Sequence, residues 1–594
     1  MMRWICSVLV TLVATCCMSR AARVTTLNGD VEGFTANVDG EDVDIYLGIP
    51  FAMPPIGDLR FRAPLPVQNW TGVFEAKTQP NSCMQLPDGL IPGFLGVEMW
   101  NANTPVSEDC LYLNLFVPRT NSINPSPTLF WIYGGSYVYG SATLDIYDGR
   151  YLAAKESVIV ATVQYRMGVQ GFLYTGTDDA PGNMGILDQQ IALMWLHDNI
   201  DGFGGDGSNI TLFGESAGAA SVSHHLFAPS SWPYFNNAIM LSSTSLSDWS
   251  VRPKKEMLSK TKELARLVHC DDADMSDLVK CLRNVSADEL ENMQWSSSLN
   301  NSYVGTFLPT VDGVFLPEAP QSAMNSGRMK TADIMLGVAK DEGEFFLLYF
   351  FQDVFPTSKI DNPDPLNRSQ FLDTMCKIAN CENEMERDAI LYIYELSTIP
   401  STRGSYRDIL DDILGDIFFK CPVKALADGY VAHNKGNVYT YSFEYRHSAN
   451  PWPAWMGTLH GYEIELMFGQ PFGYGGPFTY NETDRSVSRQ AMKYISEFAN
   501  SGSLAGFSSE WPEYTSQSEE HIVFTGDGDT VVTKGFKTKE CSFWKYLMPK
   551  LKEMVEKNHS TPSTTNTASS CNRQFFITYI TSFILLLCFS LKNH

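Results

Sequence analysis

The pentapeptide Gly214-Glu215-Ser216-Ala217-Gly218 holds the residues best suited to chemistry in this chain. A Gly-x-Ser-x-Gly that follows a strand and opens a helix forms a nucleophile elbow, a sharp turn that presents the serine hydroxyl. Asn209 to Phe213 reads as that strand, and the small residues from Ala217 onward read as that helix. The Ser216 hydroxyl then stands at a helix N-terminus, where the backbone dipole favours negative charge. The chemistry such a serine performs is acyl transfer through a covalent intermediate.

A serine nucleophile needs a base, an acid to orient the base, and donors for the oxyanion. In this arrangement the partners follow in the order Ser, acid, His. The chain has ten histidines. His224 and His225 lie on the elbow's own helix, His197 lies in the helix before it, and His559 lies in a polar C-terminal stretch. His460, in Gly457-Thr458-Leu459-His460-Gly461-Tyr462-Glu463, sits in a downstream loop where the base belongs. Lys340-Asp341-Glu342-Gly343 offers two carboxylates between Ser216 and His460, and spacing alone does not choose between them. Upstream, Tyr133-Gly134-Gly135-Ser136 follows a strand. Its glycine-rich turn can aim the N–H groups of Gly135 and Ser136, with that of Ala217, at a carbonyl oxygen. Each such donor stabilises the transition state by about 3–4 kcal/mol. This chemistry calls for no metal and no organic cofactor.

Short β-branched and aromatic runs at Thr128–Tyr133, Val158–Val163, Asn237–Leu241 and Val438–Phe443 read as further strands, and Gly185–Ile200 as a helix. Strands separated by helices predict an α/β protein with a large, mostly parallel central sheet flanked by helices, the α/β-hydrolase fold. Gly89–Pro105 and Pro356–Pro365 read as loops. With 594 residues, 44% hydrophobic, and no internal repeat or long linker before residue 558, the sequence predicts one catalytic domain over residues 22–557.

The ends carry targeting patterns. Residues 1–21 read as a secretory signal peptide cleaved near Ala21 or Ala22. Residues 558–574 form a polar linker and residues 575–594 a short apolar tail. Small residues, a polar spacer and a terminal hydrophobic tail match a GPI-anchor signal, with attachment in the region of Asn566, Ser569 and Ser570 and removal of the tail. A transmembrane helix is the rival, disfavoured because almost nothing polar follows the tail. Of 13 cysteines, eight remain in the mature chain: Cys83, Cys110, Cys270, Cys281, Cys376, Cys381, Cys421 and Cys541. An even number in a secreted chain predicts disulfides rather than metal ligation. Glycosylation sequons begin at Asn69, Asn209, Asn284, Asn300, Asn367, Asn481 and Asn558. The net charge of −24 disfavours nucleic acid and attracts cations.

Glu108-Asp109-Cys110-Leu111-Tyr112-Leu113-Asn114 and Phe213-Gly214-Glu215-Ser216-Ala217-Gly218 resemble the signatures of the type-B carboxylesterases. Glu98-Met99-Trp100-Asn101, Gly337 to Gly343 and His460 to Glu465 are similar to the cholinesterases within that family, and the likeness runs from Leu27 to Leu551. The resemblance implies hydrolysis of acetylcholine to choline and acetate by Ser216, Glu342 and His460, with Glu342 rather than Asp341 as the acid. It implies a choline site at Trp100, Glu215, Phe345 and Tyr147, and an acyl pocket at Trp249, Tyr303, Gly305 and Phe346. A peripheral cation site would use Asp88, Trp295 and Tyr349, weakened by Leu86 and Val138 where aromatic rings are usual. Gly305 stands where acetyl-selective members carry a bulky ring, which implies a roomier acyl pocket. Ser136 stands where the family has a third glycine. The resemblance also implies the disulfides Cys83–Cys110, Cys270–Cys281 and Cys421–Cys541, leaving Cys376–Cys381 as a local fourth. Residues from Cys541 onward look like the helix through which relatives form homodimers. A broad carboxylesterase, a butyryl-preferring enzyme and a non-catalytic adhesion protein share this fold; the last usually lacks the nucleophile or base, and both are present here.

Overall fold

The computed structural model describes residues 21–560, except 121, 271–272, 300–304, 362–364, 395–404, 474–477, 506–510 and 527–529. Thirteen strands form one sheet: β1 (Ala21–Thr26), β2 (Gly29–Val38), β3 (Glu41–Pro50), β4 (Val73–Glu75), β5 (Tyr112–Pro118), β6 (Ser126–Ile132), β7 (Ile159–Val163), β8 (Gly205–Glu215), β9 (Asn237–Leu241), β10 (Ile334–Ala339), β11 (Val438–Phe443), β12 (His521–Phe524) and β13 (Thr530–Thr533). Their order is β1-β2-β3-β5-β7-β6-β8-β9-β10-β11-β12-β13, with β4 beside β2.

From β7 through β12 every neighbouring pair is parallel. The two flanks are antiparallel apart from the parallel β2–β4 pair, so the sheet is mixed rather than parallel throughout. The division has a physical reason. Parallel strands need crossover helices that cover both faces, so they must be apolar along their whole length. Strands β6, β7, β9, β10 and β11 are buried at every position, whereas β2 and β3 mix buried residues with half-buried ones and a few exposed polar ones. Helices α1 (Met184–Asn199) and α2 (Ala217–Phe227) are among those that cover the sheet. The apolar cluster is continuous from Ala22 to Met548.

The predicted strands and helix all form, with ends within a few residues except at β8, which begins at Gly205 rather than Asn209. The segment expected to be loop at 89–105 contains one helical turn, Leu95–Glu98, and that at 356–365 contains a 3₁₀ turn, Thr357–Lys359. All four disulfides join as expected: Cys83–Cys110, Cys270–Cys281, Cys376–Cys381 and Cys421–Cys541. Asn69, Asn284, Asn367 and Asn481 are exposed and Asn209 is half-buried, whereas Asn300, the Asn558 side chain and the tail with Asn566, Ser569 and Ser570 lie outside the described residues. Among the described residues no helix is long and apolar enough to cross a membrane.

Candidate active site

The elbow turns between β8 and α2. Gly214 pairs across the sheet with Ile132 on one side and Met240 on the other. A Cβ on Gly218 would lie 2.0 Å from the Ile132 carbonyl oxygen, and one on Gly214 would lie 2.6 Å from the Gly218 backbone. Both glycines are therefore required by contact between strand and helix. Ser216 sits between them at φ 53°, ψ −120°, outside the ordinary regions for an L-residue. Such a conformation typically costs about 1–3 kcal/mol. It is held by the Ser216 N–H bonded to the Leu241 carbonyl at 2.9 Å and by the first turn of α2.

Glu342 and His460 arrive on adjacent strand ends. Glu342 follows β10 and accepts a hydrogen bond from the Ala339 N–H at 2.7 Å. His460 lies in the loop after β11, and its Nδ1–H donates to Glu342 Oε2 at 2.5 Å. This geometry selects Glu342 over Asp341 as the orienting acid. Asp341 instead ties two loops together. Its N–H donates to the Thr458 carbonyl at 3.0 Å, and its Oδ2 accepts the Thr458 N–H at 2.8 Å. It thereby clips the loop that carries the acid to the loop that carries the base. Rings of Phe346 and Phe419 pack on the imidazole, with centroids at 5.1 and 4.6 Å.

His460 Nε2 lies 3.1 Å from Glu215 Oε1, and among the described residues it makes no hydrogen bond to Ser216 or any other side chain. A carboxylate beside the nucleophile thus faces the imidazole at ion-pair distance without hydrogen-bond geometry. Burial disfavours the imidazolium, but Glu215 and Glu342 outweigh it and lift the His460 pKa to about 9. Burial likewise pushes the Glu215 carboxyl up to about 7, opposed by His460. Glu463, which accepts from Ser242 Oγ at 3.2 Å, is pushed to about 8 by burial and by repulsion from Glu342 and Glu215. Three buried carboxyls thus surround one buried base.

Ser216, Glu215 and His460 open on a cavity of about 300 Å³. Its wall includes Ser216, His460, Gly135 and Ser136 together with Trp100, Tyr147, Glu215 and Phe345, and it reaches Asp88, Trp295 and Tyr349. Gly135 (φ 104°), Ser136 (φ 55°) and Tyr137 (φ 61°) form a left-handed run beside the nucleophile. Trp100 stands edge-on to Tyr462, at 5.8 Å and 85°. Tyr349 donates to the Asp88 carboxylate. Gly305 and Phe346 line the wall, but Trp249 does not. Its indole is buried and donates to the Phe418 carbonyl at 3.1 Å, with its ring centroid 6.1 Å from that of Phe419. Leu86 is not on the wall either, and Tyr303 lies outside the described residues. Sequence reasoning missed Tyr139, Phe350 and Gly461 as wall residues. Tyr139 stacks on Trp295 at 5.9 Å and 17°. Its place three residues after Ser136, on the same glycine-rich loop, was the available signal.

A strained serine, a histidine bonded to a buried glutamate, and a glycine-rich loop on the parallel core of one mixed sheet define a serine hydrolase of the nucleophile-elbow type. A sequence model described as the carboxylesterase family matches residues 20–544. The chain is 39% identical to a mouse protein named cholinesterase over 537 residues, 90% of this chain and 88% of that one. It is 38% identical to acetylcholinesterase 1 of Caenorhabditis briggsae, covering 87% and 86% of the two chains. It is also 38% identical to an acetylcholinesterase of Bungarus fasciatus, covering 89% and 87%. This chain belongs to the carboxylesterase family and is a serine ester hydrolase.

Proposed function

We propose that the chain is a cholinesterase that hydrolyses acetylcholine outside the cell, through an acyl-enzyme on Ser216. The observation that carries this reading is the cavity wall: the indole of Trp100, the rings of Tyr147 and Phe345 and the buried carboxyl of Glu215 share one enclosure with the nucleophile. A quaternary ammonium has no N–H to donate, so aromatic faces and a nearby negative charge are the groups that hold it. Asp88, Trp295 and Tyr349, further along the same wall, suit a transient cation site on the way in.

In the cycle, His460 takes the proton of Ser216 as the oxygen attacks the ester carbonyl, and Glu342 stabilises the imidazolium. Gly135, Ser136 and Ala217 supply N–H donors to the oxyanion. Choline leaves with the proton from His460. Water, deprotonated by the same imidazole, then releases acetate and frees Ser216. That His460 Nε2 makes no hydrogen bond to Ser216 among the described residues does not oppose this, because hydrogen bonds to the nucleophile often form only in the substrate complex. A broader acyl range, with butyryl esters also accepted, is the second reading; it rests on Gly305, which presents no side chain.

The test is turnover of acetylthiocholine against its neutral carbon isostere by the purified secreted chain, alone and as Ser216→Ala. Equal kcat/KM for the two substrates would replace this reading by a general carboxylesterase. Four disulfides suit an oxidising, extracellular setting. The polar linker and apolar tail at 558–594 support a proposed GPI anchor, and release of activity from cells by a phosphatidylinositol-specific phospholipase C tests it. Exposed Tyr546 and Met554 near the C-terminus suit a homodimer contact, which sedimentation of the secreted protein would detect.

A further inference from the structure

Gly305 and Val138 meet on the cavity wall beside the oxyanion loop. A Cβ built on Gly305 would stand 2.7 Å from Val138 Cγ1 and 3.2 Å from the Ser136 carbonyl oxygen. Space at this position excludes a side chain. The atom in the way is a methyl of a β-branched side chain, which has little rotameric freedom.

Nor can the Val138 backbone withdraw easily. Its N–H donates to the Gly135 carbonyl at 2.9 Å. The preceding Tyr137 is left-handed, and its carbonyl accepts the Gly168 N–H at 2.7 Å. Val138 is itself only 4% exposed and lines the cavity. The volume that an absent side chain at 305 would leave open is therefore taken up, at least beside Ser136, by Val138.

We infer that Val138 determines which acyl chains the enzyme accepts, and that Val138 and Gly305 form one volume-sharing pair. This rests on the acyl-ester reading above and corrects the simpler expectation that Gly305 alone enlarges the pocket. Crowding at 305 would also press on the Ser136 carbonyl, and Ser136 lies in the loop that supplies the oxyanion donors. The pair therefore couples acyl size to catalytic rate.

The experiment compares kcat/KM for acetyl-, propionyl- and butyrylthiocholine on the wild-type secreted chain and on Val138→Ala, Gly305→Ala and the double variant. Active sites are counted with an irreversible phosphorylating inhibitor, so that every rate refers to folded enzyme. Removing two methyl groups from the wall is expected to raise the butyryl-to-acetyl ratio of Val138→Ala by about fivefold or more, within the range that one or two methylenes discriminate. Gly305→Ala is expected to slow all three esters, and Val138→Ala in the same chain to restore the acetyl rate to within about twofold of wild type, a non-additivity typical of residues in contact. An unchanged ratio in Val138→Ala, or strictly additive effects in the double variant, would overturn the inference. If no thiocholine ester is turned over even by wild type, the choline reading fails instead. The same ratios read with p-nitrophenyl acetate and butyrate then still decide the role of Val138.

Discussion

Glu215→Gln gives the most direct test of the electrostatics around the base. His460 Nε2 faces Glu215 Oε1 at 3.1 Å, and Nδ1 is bonded to Glu342. A pKa near 9 against the ordinary value of 6.5 is about 3 kcal/mol in favour of the imidazolium, net of the burial that works against it. Glu215 is the largest of the attractive contributions. At 3.1 Å and an effective dielectric near 20, one opposite charge contributes up to about 5 kcal/mol before burial is subtracted. Glutamine keeps the shape and removes the charge. The imidazole pKa should therefore fall by about 1–2 pH units. Only the neutral imidazole can take the proton from Ser216, so a lower pKa means activity persists to lower pH. The acid limb of kcat/KM should move down by that amount, while the plateau for a cationic ester falls because an attractive charge is lost. Glu215 titrates in the same window, near 7, so the wild-type limb belongs to the pair and not to one residue. The assay is kcat/KM from pH 5 to 10 with acetylthiocholine and with its neutral isostere. Because kcat/KM reports the free enzyme, the limb should shift equally for both substrates. A limb that stays in place, or moves to higher pH, refutes the argument that Glu215 holds the base protonated.

Trp100→Ala should raise KM for acetylthiocholine by roughly 2- to 30-fold, the equivalent of a cation–π contact of about 0.5–2 kcal/mol, and leave the neutral isostere nearly unchanged. Ser136→Gly removes a CH₂OH from the oxyanion loop at a left-handed position that glycine adopts freely. Bimolecular inactivation by bulky carbamates and organophosphates should then be faster than in wild type, and equal rate constants would count against a crowded hole. Asp341→Ala leaves the Thr458 N–H without its side-chain partner, at a cost of about 1–3 kcal/mol. It should lower kcat more than it raises KM, because it loosens the loops that bring Glu342 to His460; thermal unfolding and steady-state rates check the two parts. Serine replacement of Cys421 and Cys541, which close a loop of 120 residues, should cost about 5 kcal/mol. The same change at Cys376 and Cys381, five residues apart, should cost about 2 kcal/mol, as read by denaturant unfolding.

The parts of this site that were legible in the sequence share one property. Their chemistry is tied to local backbone pattern. Gly214, Ser216 and Gly218 announce a turn because only glycine tolerates the 2.0–2.6 Å approaches that the strand and helix impose. The buried runs of the central strands are visible as unbroken apolar stretches, and from them the parallel core follows. What the sequence conceals is which side chains meet across the fold. Asp341 and Glu342 are neighbours with the same charge, and only the arrival of the 457–460 loop separates clip from catalytic acid. Trp249 and Tyr139 are both aromatic, yet one is buried against Phe419 away from the wall and the other stacks on Trp295 at the wall. Val138, taken from the sequence as a lost aromatic ring, turns out to fill space beside a glycine more than 160 residues away.

The resting position of His460 links these observations. A buried base needs a permanent countercharge to stabilise the imidazolium that forms on attack, and Glu342 supplies it through Nδ1. A second carboxylate near Nε2 would ordinarily be a liability, since its charge favours the imidazolium, which cannot accept the Ser216 proton. It is a sensible cost only if the same carboxyl performs another service in the cavity. A substrate that brings its own positive charge provides one. A quaternary ammonium placed between Trp100 and Glu215 would compete with the imidazolium for the carboxylate, lower the His460 pKa on binding, and so free Nε2 for Ser216 as the ester arrives. The argument requires that a bound cation without an ester, such as tetramethylammonium, accelerate acylation by small neutral esters at pH 7. It also requires that Glu215→Gln abolish that acceleration. Simple competitive inhibition of both proteins by the cation would break the link between choline recognition and activation of the base.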